Sequence, residues 1–147
     1  MLPVFSRDSG FSLYRTGYFF PAWSPAGDRL VVTAGSKLRM FDARRENGRT
    51  IYDCKDGQIT FPAWSPDGKA IAFGAGSYFT GHAKPAAIEM INADGTGLRD
   101  LTKGPGNAGF PSWSPDGKRI VYRVAGSEQG LRILTTTGLK PVESCCD

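Results

Sequence analysis

The 147-residue sequence is 40% hydrophobic and 12% aromatic, a balance that excludes an intrinsically disordered chain and gives one domain enough apolar residues for a core. The net charge of +4 is scattered, and the densest basic pair, Arg44 and Arg45, lacks the neighbouring aromatic residues typical of single-stranded nucleic-acid sites, so nucleic-acid binding is not predicted. No apolar run approaches the ~18 residues that a membrane-spanning helix needs, so membrane insertion is not predicted either.

The terminal segments and the cysteines say little about the cellular compartment. Residues 1–10 contain charged residues and a proline, so they do not resemble a secretory signal. Localisation stays open on this basis, with the cytoplasm slightly favoured. Cys54, Cys145 and Cys146 have neither the spacing of a zinc site nor that of a disulfide framework, and we expect them to be reduced and structurally incidental.

One segment, Phe-Pro-x-Trp-Ser-Pro-x-Gly, occurs three times and is the strongest feature of the sequence. Its copies begin at Phe20, Phe61 and Phe110, which are separated by about 40 to 50 residues, the length of a four-stranded blade of a β-propeller. No segment carries an apolar stripe of helical period. The repeat therefore predicts stacked β-sheets without helices.

The second half of each copy has the chemistry of a tight turn. In the Ser-Pro-Asp-Gly segment at residues 65–68, proline presets φ for a type I turn and glycine accepts the left-handed conformation that ends it. The segment therefore predicts a hairpin with a bulge. The glycines that serve this role are Gly27, Gly68 and Gly117.

β-rich segments surround each turn in a fixed order. A first strand is centred on the tryptophan, and second strands are predicted at Leu30–Thr33, Ile71–Phe73 and Ile120–Val124. Third strands are predicted at Lys37–Asp42, Ala87–Asn92 and Leu131–Thr135, and fourth strands at Thr50–Asp53, Leu98–Thr102 and Leu139–Val142. A further strand, Phe11–Arg15, precedes the first copy.

These segments predict an all-β protein, a partial β-propeller of about three four-stranded antiparallel blades. The expected boundaries are an outer strand left from a preceding blade at 1–18, blade 1 at 19–57, blade 2 at 58–106, and blade 3 with an irregular C-terminal tail at 107–147. Propellers close with about four to eight blades. We therefore expect either a fragment of a larger propeller, such as a truncated gene product, or self-association that completes a ring.

The tryptophans and turn aspartates permit two interpretations each. Trp23, Trp64 and Trp113 could stack on a ligand, but one large side chain per repeat is what packing between blades requires. Asp67 and Asp116 could bind calcium, but each belongs to its own turn, and turn chemistry accounts for them. We therefore predict no metal site and assign the tryptophans a structural role.

The connection between the second and third strands of the middle blade is unusually long. Residues 74–85 are rich in glycine, and long loops on rigid scaffolds often carry binding residues. The candidate partner-contact residues there are Tyr78, Phe79, His82 and Lys84. The alternative is a glycine-rich loop that only covers the rim.

Three copies of Phe-Pro-x-Trp-Ser-Pro, together with Asn92-Ala93-Asp94-Gly95-Thr96-Gly97 and the Leu101-Thr102 that follows, resemble the repeats of the TolB-like, WD-type β-propeller family. The resemblance covers residues 11–135. It implies a non-catalytic module that binds or scaffolds other proteins, and it raises a periplasmic location as the alternative to the cytoplasm.

The rival functional hypothesis is enzymatic, because similar propellers accompany prolyl-oligopeptidase-type serine peptidases and form some polysaccharide lyases. The sequence contains no Gly-x-Ser-x-Gly nucleophile elbow, and His82 is its only histidine. We therefore predict no catalytic residues and no cofactor. The expected partner is an unidentified protein or a second copy of this chain.

Overall fold

The computed structural model describes residues 17–44, 48–55, 57–77, 85–102 and 106–138. Within these ranges the chain forms β-strands and no helix, and the strands form three separate antiparallel sheets. The all-β prediction of partial propeller blades is confirmed. The same ranges contain no helical segment with the length and apolarity needed to cross a membrane.

Each sheet is a blade in which the strands pair in chain order. Blade 1 contains β1 (Phe19–Trp23), β2 (Arg29–Ala34), β3 (Lys37–Asp42) and β4 (Arg49–Asp53). Blade 2 contains β5 (Gln58–Trp64), β6 (Ala70–Gly76), β7 (Ala87–Asn92) and β8 (Arg99–Asp100). Blade 3 contains β9 (Asn107–Trp113), β10 (Arg119–Ala125) and β11 (Gly130–Thr135).

The fourth strand of blade 2 is shorter than the sequence predicts. Only Arg99–Asp100 pair with β7, whereas Leu98–Thr102 were expected. Beyond this pair the backbone N–H of Ile88 donates to the hydroxyl of Thr102 at 2.8 Å, so a side chain replaces the ladder acceptor. The predicted strands Phe11–Arg15 and Leu139–Val142 lie outside the described residues.

The repeated turns have the predicted geometry. Gly27, Gly68 and Gly117 adopt φ of 71°, 69° and 70°. Each donates its N–H to the carbonyl of the serine that opens the turn, at 2.9 Å in all three blades. Because only glycine adopts this φ without strain, the turn fixes the register of the first and second strands in every blade.

The blades stack face to face, and we call the contact between blades 1 and 2 the first seam and that between blades 2 and 3 the second seam. In the first seam, Val31, Leu38 and Met40 of blade 1 belong to the same buried cluster as Ile71, Phe73 and Ile91 of blade 2. These side chains are at most 6% exposed. The main core of the described chain therefore lies between two sheets.

The phenylalanine that opens each repeat has an unexpected conformation. Phe20, Phe61 and Phe110 have positive φ of 49°, 50° and 55°, each where the pairing of the first and second strands shifts register. The rings of neighbouring blades meet, with centroids 4.3 Å apart for the first pair and 3.6 Å for the second. The bulges thus line the three rings up across both seams.

The expectation for Cys54 is wrong. Cys54 is completely buried within the core cluster of the first seam and is disulfide-bonded, whereas we expected every cysteine to be reduced. No spacing signal for this bond is present in the sequence, because the other cysteines, Cys145 and Cys146, stand far along the chain and outside the described residues.

Candidate functional site

Most of the loop favoured by the sequence lies outside the described residues, and its first three residues, 74–76, belong to β6. Tyr78, Phe79, His82 and Lys84 all lie outside the described residues. Their role as a contact surface stays a prediction. The candidate sites among the described residues are the two seams and the open face of blade 3.

The three tryptophans occupy equivalent positions but differ in environment. Trp64 is 8% exposed and donates its Nε1–H to the carbonyl of Ala22 in blade 1 at 3.1 Å. Trp113 makes the same bond to Ala63 in blade 2 at 3.0 Å. Trp23, in the first described blade, is 50% exposed. Each indole thus reaches back to the preceding blade where one is described.

In the first seam an arginine covers the tryptophan. The guanidinium carbon of Arg29 lies 4.8 Å from the ring centroid of Trp64, and its Nη2 donates to the carbonyl of Gly68 at 3.1 Å. Asp28 lies 3.6 Å from the Arg29 Nε. A cation held over an indole with a hydrogen bond at its end is a favourable arrangement for packing two blades.

A second arginine crosses the same seam. Arg49 of β4 directs its guanidinium to the carbonyls of Ala93 and Asp94 in blade 2, at 3.4 and 3.3 Å. The first seam is therefore closed at this rim by two side chains that blade 1 supplies.

The second seam lacks both of these bridges. Ala70 occupies the position of Arg29, because each follows its turn and begins the second strand. Arg99 occupies the position of Arg49, because Arg99 pairs with Met90 and Arg49 pairs with Met40, the equivalent residue of blade 1. Arg99 turns back within blade 2 and donates to the carbonyl of Gly97 at 2.9 Å. Neither side chain fills the rim between blades 2 and 3.

A cavity of about 560 Å³ occupies this rim of the second seam, and we call it the seam cavity. Trp113 and Ala70 line it, as do Gly117 and both turn prolines, Pro66 and Pro115. Its charged lining residues are Asp67, Asp116, Lys69 and Arg99. The volume falls within the range of about 300 to 1,000 Å³ that is typical of ligand sites.

The turn aspartates are held in their ionised form. The hydroxyl of Ser65 donates to Asp67 at 2.6 Å, and this hydrogen bond is the main reason that the pKa of Asp67 is lowered. The bond from Ser114 lowers the pKa of Asp116 in the same way. Both carboxylates are exposed, so they present negative charge to solvent at the mouth of the seam cavity.

Blade 1 obtains the same turn bond from a different residue. Ala26 stands where blades 2 and 3 have their turn aspartates, and the serine hydroxyl of Ser24 donates instead to Asp28 at 2.7 Å. This bond is the main cause of the lowered pKa of Asp28. The sequence alone did not identify the exchange, because it moves the acid to the other side of the turn glycine.

The outer face of blade 3 is apolar and open. Leu131 and Ile133 are 76% and 67% exposed. The equivalent residues of the other blades, which pair with their second strands in the same register, are Leu38, Met40, Ile88 and Met90. Those four are between 0% and 6% exposed. Side chains that are buried in the two seams are therefore presented to solvent on blade 3.

No metal-binding geometry is present in the part of the chain that the structure describes. Within those ranges, no three histidine, cysteine or carboxylate side chains lie close enough to share an ion. Asp67 and Asp116 accept hydrogen bonds from the backbone N–H two residues later, at 3.0 Å in both turns, as turn residues do.

Comparison with known proteins identifies the architecture. No protein-family model and no curated protein sequence matches the chain. Among solved structures, a putative TolB from Agrobacterium tumefaciens superposes with a TM-score of 0.69 at 20% identity over 82% of this chain. Oligogalacturonate lyase in complex with manganese gives 0.62 at 17% over 80%, and the tricorn protease gives 0.61 at 19% over 73%.

These likenesses establish the fold and no more. The chain spans 46% of the TolB structure, 33% of the lyase and 11% of the tricorn protease. At these identities the comparisons support a partial β-propeller like those of TolB-like proteins. The finer assignment to WD-type repeats, and the blade boundaries drawn from the sequence, stay predictions.

Proposed function

We propose that this chain is a non-catalytic β-propeller module that binds protein, and that the outer face of blade 3 is its docking surface. The observation that carries the proposal is the exposure of Leu131 and Ile133, whose equivalents in both seams are buried. A large exposed apolar patch on a stable sheet is characteristic of an interaction site.

The occupant that fits this face best is a second copy of the chain. In the two seams the corresponding face packs on the next blade, and the next blade available in a second copy is blade 1. Its outer side carries aromatic rings: Tyr18 meets Phe41 edge to face, with centroids 5.9 Å apart, and packs against the cluster that contains Phe41. Arg39 of the same blade already lies over both rings, at 5.8 and 5.4 Å from their centroids, so this side offers the aliphatic patch the half-buried ring of Tyr18.

Hydrogen-bonding groups on the two faces also complement each other. Trp23 makes no hydrogen bond through Nε1 to a described residue, whereas Trp64 and Trp113 each donate to the residue that precedes the tryptophan of the blade before them. The residue in that position of blade 3 is Ser112. Head-to-tail docking would let Trp23 of one copy donate to the Ser112 carbonyl of the other.

The stoichiometry is compatible with a closed ring. Two copies with three blades each would supply six, and propellers close with about four to eight. A head-to-tail contact that is used twice closes with two-fold symmetry and leaves no apolar face open.

Size-exclusion chromatography with light scattering tests the proposal. We expect a species with twice the 15.9 kDa mass of one chain. The double variant Leu131→Glu with Ile133→Glu should be monomeric, because docking would bury two unpaired carboxylates. Ala26→Glu with Gln58→Glu adds the same charge at exposed positions outside the two docking faces and should remain dimeric. A wild-type protein that is monomeric at high concentration, or a dimer that the first variant leaves intact, overturns the proposal.

The rival hypothesis is that the chain is the propeller portion of a peptidase or polysaccharide lyase. Two of the similar structures are named for such enzymes. Under the proposal made above, the purified chain should turn over neither peptide nor oligogalacturonate substrates. Turnover that follows the protein through purification would favour the rival hypothesis.

A further inference from the structure

The first seam provides an internal template for what the seam cavity binds. At the first seam the space over the tryptophan is filled by Arg29, which stacks on Trp64 and donates to the carbonyl of Gly68. A Cβ placed on Gly68 would lie 3.7 Å from the Pro25 ring, and one placed on the equivalent Gly117 would lie 3.7 Å from the Pro66 ring. The two rims therefore have the same backbone arrangement.

The second seam has an indole and a turn carbonyl like those that contact Arg29 in the first seam, but no arginine fills the space between them. Trp113 donates to the preceding blade as Trp64 does, so its ring has the same orientation relative to the neighbouring turn. Gly117 supplies the carbonyl that corresponds to that of Gly68. The hydroxyl of Thr136 donates to this carbonyl at 2.9 Å, which leaves the second of its two lone pairs for an incoming N–H. Because Ala70 replaces the arginine, the cavity opens at the place where a guanidinium lies in the first seam.

The lining favours a guanidinium over other cations. A planar guanidinium can stack on an indole and still direct N–H groups at its edge to a carbonyl, whereas an ammonium is a compact point charge. The carboxylates of Asp67 and Asp116 offer further acceptors at the mouth, where Lys69 and Arg99 balance their charge. Because the charges of the lining balance, the indole face recognises the positive charge of the guanidinium and the carbonyl accepts one of its N–H groups.

We infer that the seam cavity binds an arginine side chain of a partner polypeptide, with its guanidinium over Trp113 and one N–H donated to the carbonyl of Gly117. The inference deepens the proposed function and rests on its first part, that the module binds protein; it is separate from the docking of blade 3. The cavity of about 560 Å³ is open to solvent and larger than one side chain requires, which suits a side chain that enters together with its flanking backbone.

Titration with short peptides tests the inference directly. The probes are a pentapeptide with a central arginine, the same peptide with lysine, and the same peptide with citrulline, which has a similar shape but no charge. Binding is measured by calorimetry and by tryptophan fluorescence. We expect the arginine peptide to bind at least tenfold more tightly than the lysine peptide, and the citrulline peptide not to bind. Equal binding of the arginine and citrulline peptides would overturn the inference.

Ala70→Arg fills the site from within the chain. By the template of Arg29, the new side chain should stack on Trp113, so peptide affinity should fall at least tenfold while the melting temperature stays unchanged or rises. Ala26→Arg is the matched control, because it adds the same side chain at an exposed turn position outside the seam cavity and should bind peptide normally. Undiminished binding by a folded Ala70→Arg protein would overturn the inference.

Arg29→Ala creates the converse case. It removes the guest from the first seam and should open a second site, so the arginine peptide should bind with a stoichiometry of two and raise the lowered melting temperature of this variant. Unchanged stoichiometry, in a variant that is folded and binds at the second seam, would show that the template does not transfer and would overturn the inference.

Free N-acetyl-arginine amide distinguishes the source of the guanidinium. It should bind more weakly than the pentapeptide, since it lacks flanking backbone; equal affinity would overturn the assignment to a polypeptide. The readouts here are independent of the light-scattering test. Failure of the peptide titration with an intact dimer refutes only the arginine site, and a monomeric protein that binds the arginine peptide refutes only the docking of blade 3.

Discussion

The first and second seams are built from the same repeated strands, yet one is closed and the other is open. Both align phenylalanine rings across the blades, and both tie a tryptophan to the preceding blade through its Nε1–H. They differ at two positions: Ala70 replaces Arg29, and Arg99, the equivalent of Arg49, turns back within its own blade. The repeat thus fixes the backbone, and the variable positions decide whether a seam is filled or leaves a cavity.

The largest expected effect of this difference concerns the tryptophans. Trp64→Ala should lower the free energy of unfolding by about 3–5 kcal/mol, because it removes a buried indole and leaves a cavity in the main core. Trp113→Ala should cost less, on the order of 1–2 kcal/mol, since its ring is half-buried and no cation of a described residue lies over it. Urea unfolding of the two variants gives both values.

The pair of variants is its own control, because both remove the same side chain from equivalent positions. Equal losses would mean that Arg29 and the closed rim do not strengthen the first seam. In that case the two seams would differ in shape but contribute equally to the free energy of unfolding.

Much of the fold follows from the sequence because the repeat carries local chemistry. The Ser-Pro-x-Gly turn and the β-rich runs around it are specified by neighbouring residues, so the third strands at Lys37–Asp42 and Ala87–Asn92 appear within the predicted limits. The fourth strand of blade 2 was predicted but its short length was not, because that length depends on a long-range bond between Ile88 and Thr102.

The seam cavity could not be predicted in the same way. It depends on which side chain of one blade covers a ring of the next, and these residues are distant in sequence. A signal was nevertheless present: aligning the copies places Ala70 against Arg29. Its meaning requires the structure, because only the structure shows that Arg29 stacks on Trp64. The positive φ of Phe61 carried no sequence signal, since phenylalanine is an ordinary strand residue.

Both seams share the left-handed backbone of the repeat phenylalanine, and substitutions of Phe61 test it, since its ring contacts a ring in each neighbouring blade. Phe61→Gly should be more stable than Phe61→Ala by roughly 0.5–1 kcal/mol, because relief of the left-handed conformation outweighs the extra flexibility of glycine. Phe110 should behave in the same way, as its φ is nearly the same. Thermal or urea unfolding measures the order of the variants.

Ile59, in the same strand, provides the control. It does not have positive φ, so Ile59→Gly should show the usual order and be less stable than Ile59→Ala. If alanine is also the better residue at position 61, the left-handed backbone is not a stable property of the repeat, and the two seams do not share one backbone frame.

The smallest expected effect is on the free energy of unfolding at acidic pH. The hydrogen bond from Ser65 lowers the pKa of Asp67 in the folded chain, so the folded state favours the ionised carboxylate. This contribution to stability is fully present above the ordinary aspartate pKa of about 3.9 and is lost as the pH falls through the lower value of the folded state. Asp67→Asn keeps a turn-forming side chain without the titration. Urea midpoints measured between pH 6 and pH 2.5, about the range in which aspartates titrate, should therefore fall less steeply for this variant than for the wild type.

Asp28→Asn should flatten the curve in the same direction, because the serine of the first turn uses that carboxylate instead. Ala26→Asp should not steepen it as much as Asp67→Asn flattens it, since Asp28 already occupies the Ser24 hydroxyl. An acid limb that none of the three changes would show that the turn carboxylates do not stabilise the blades.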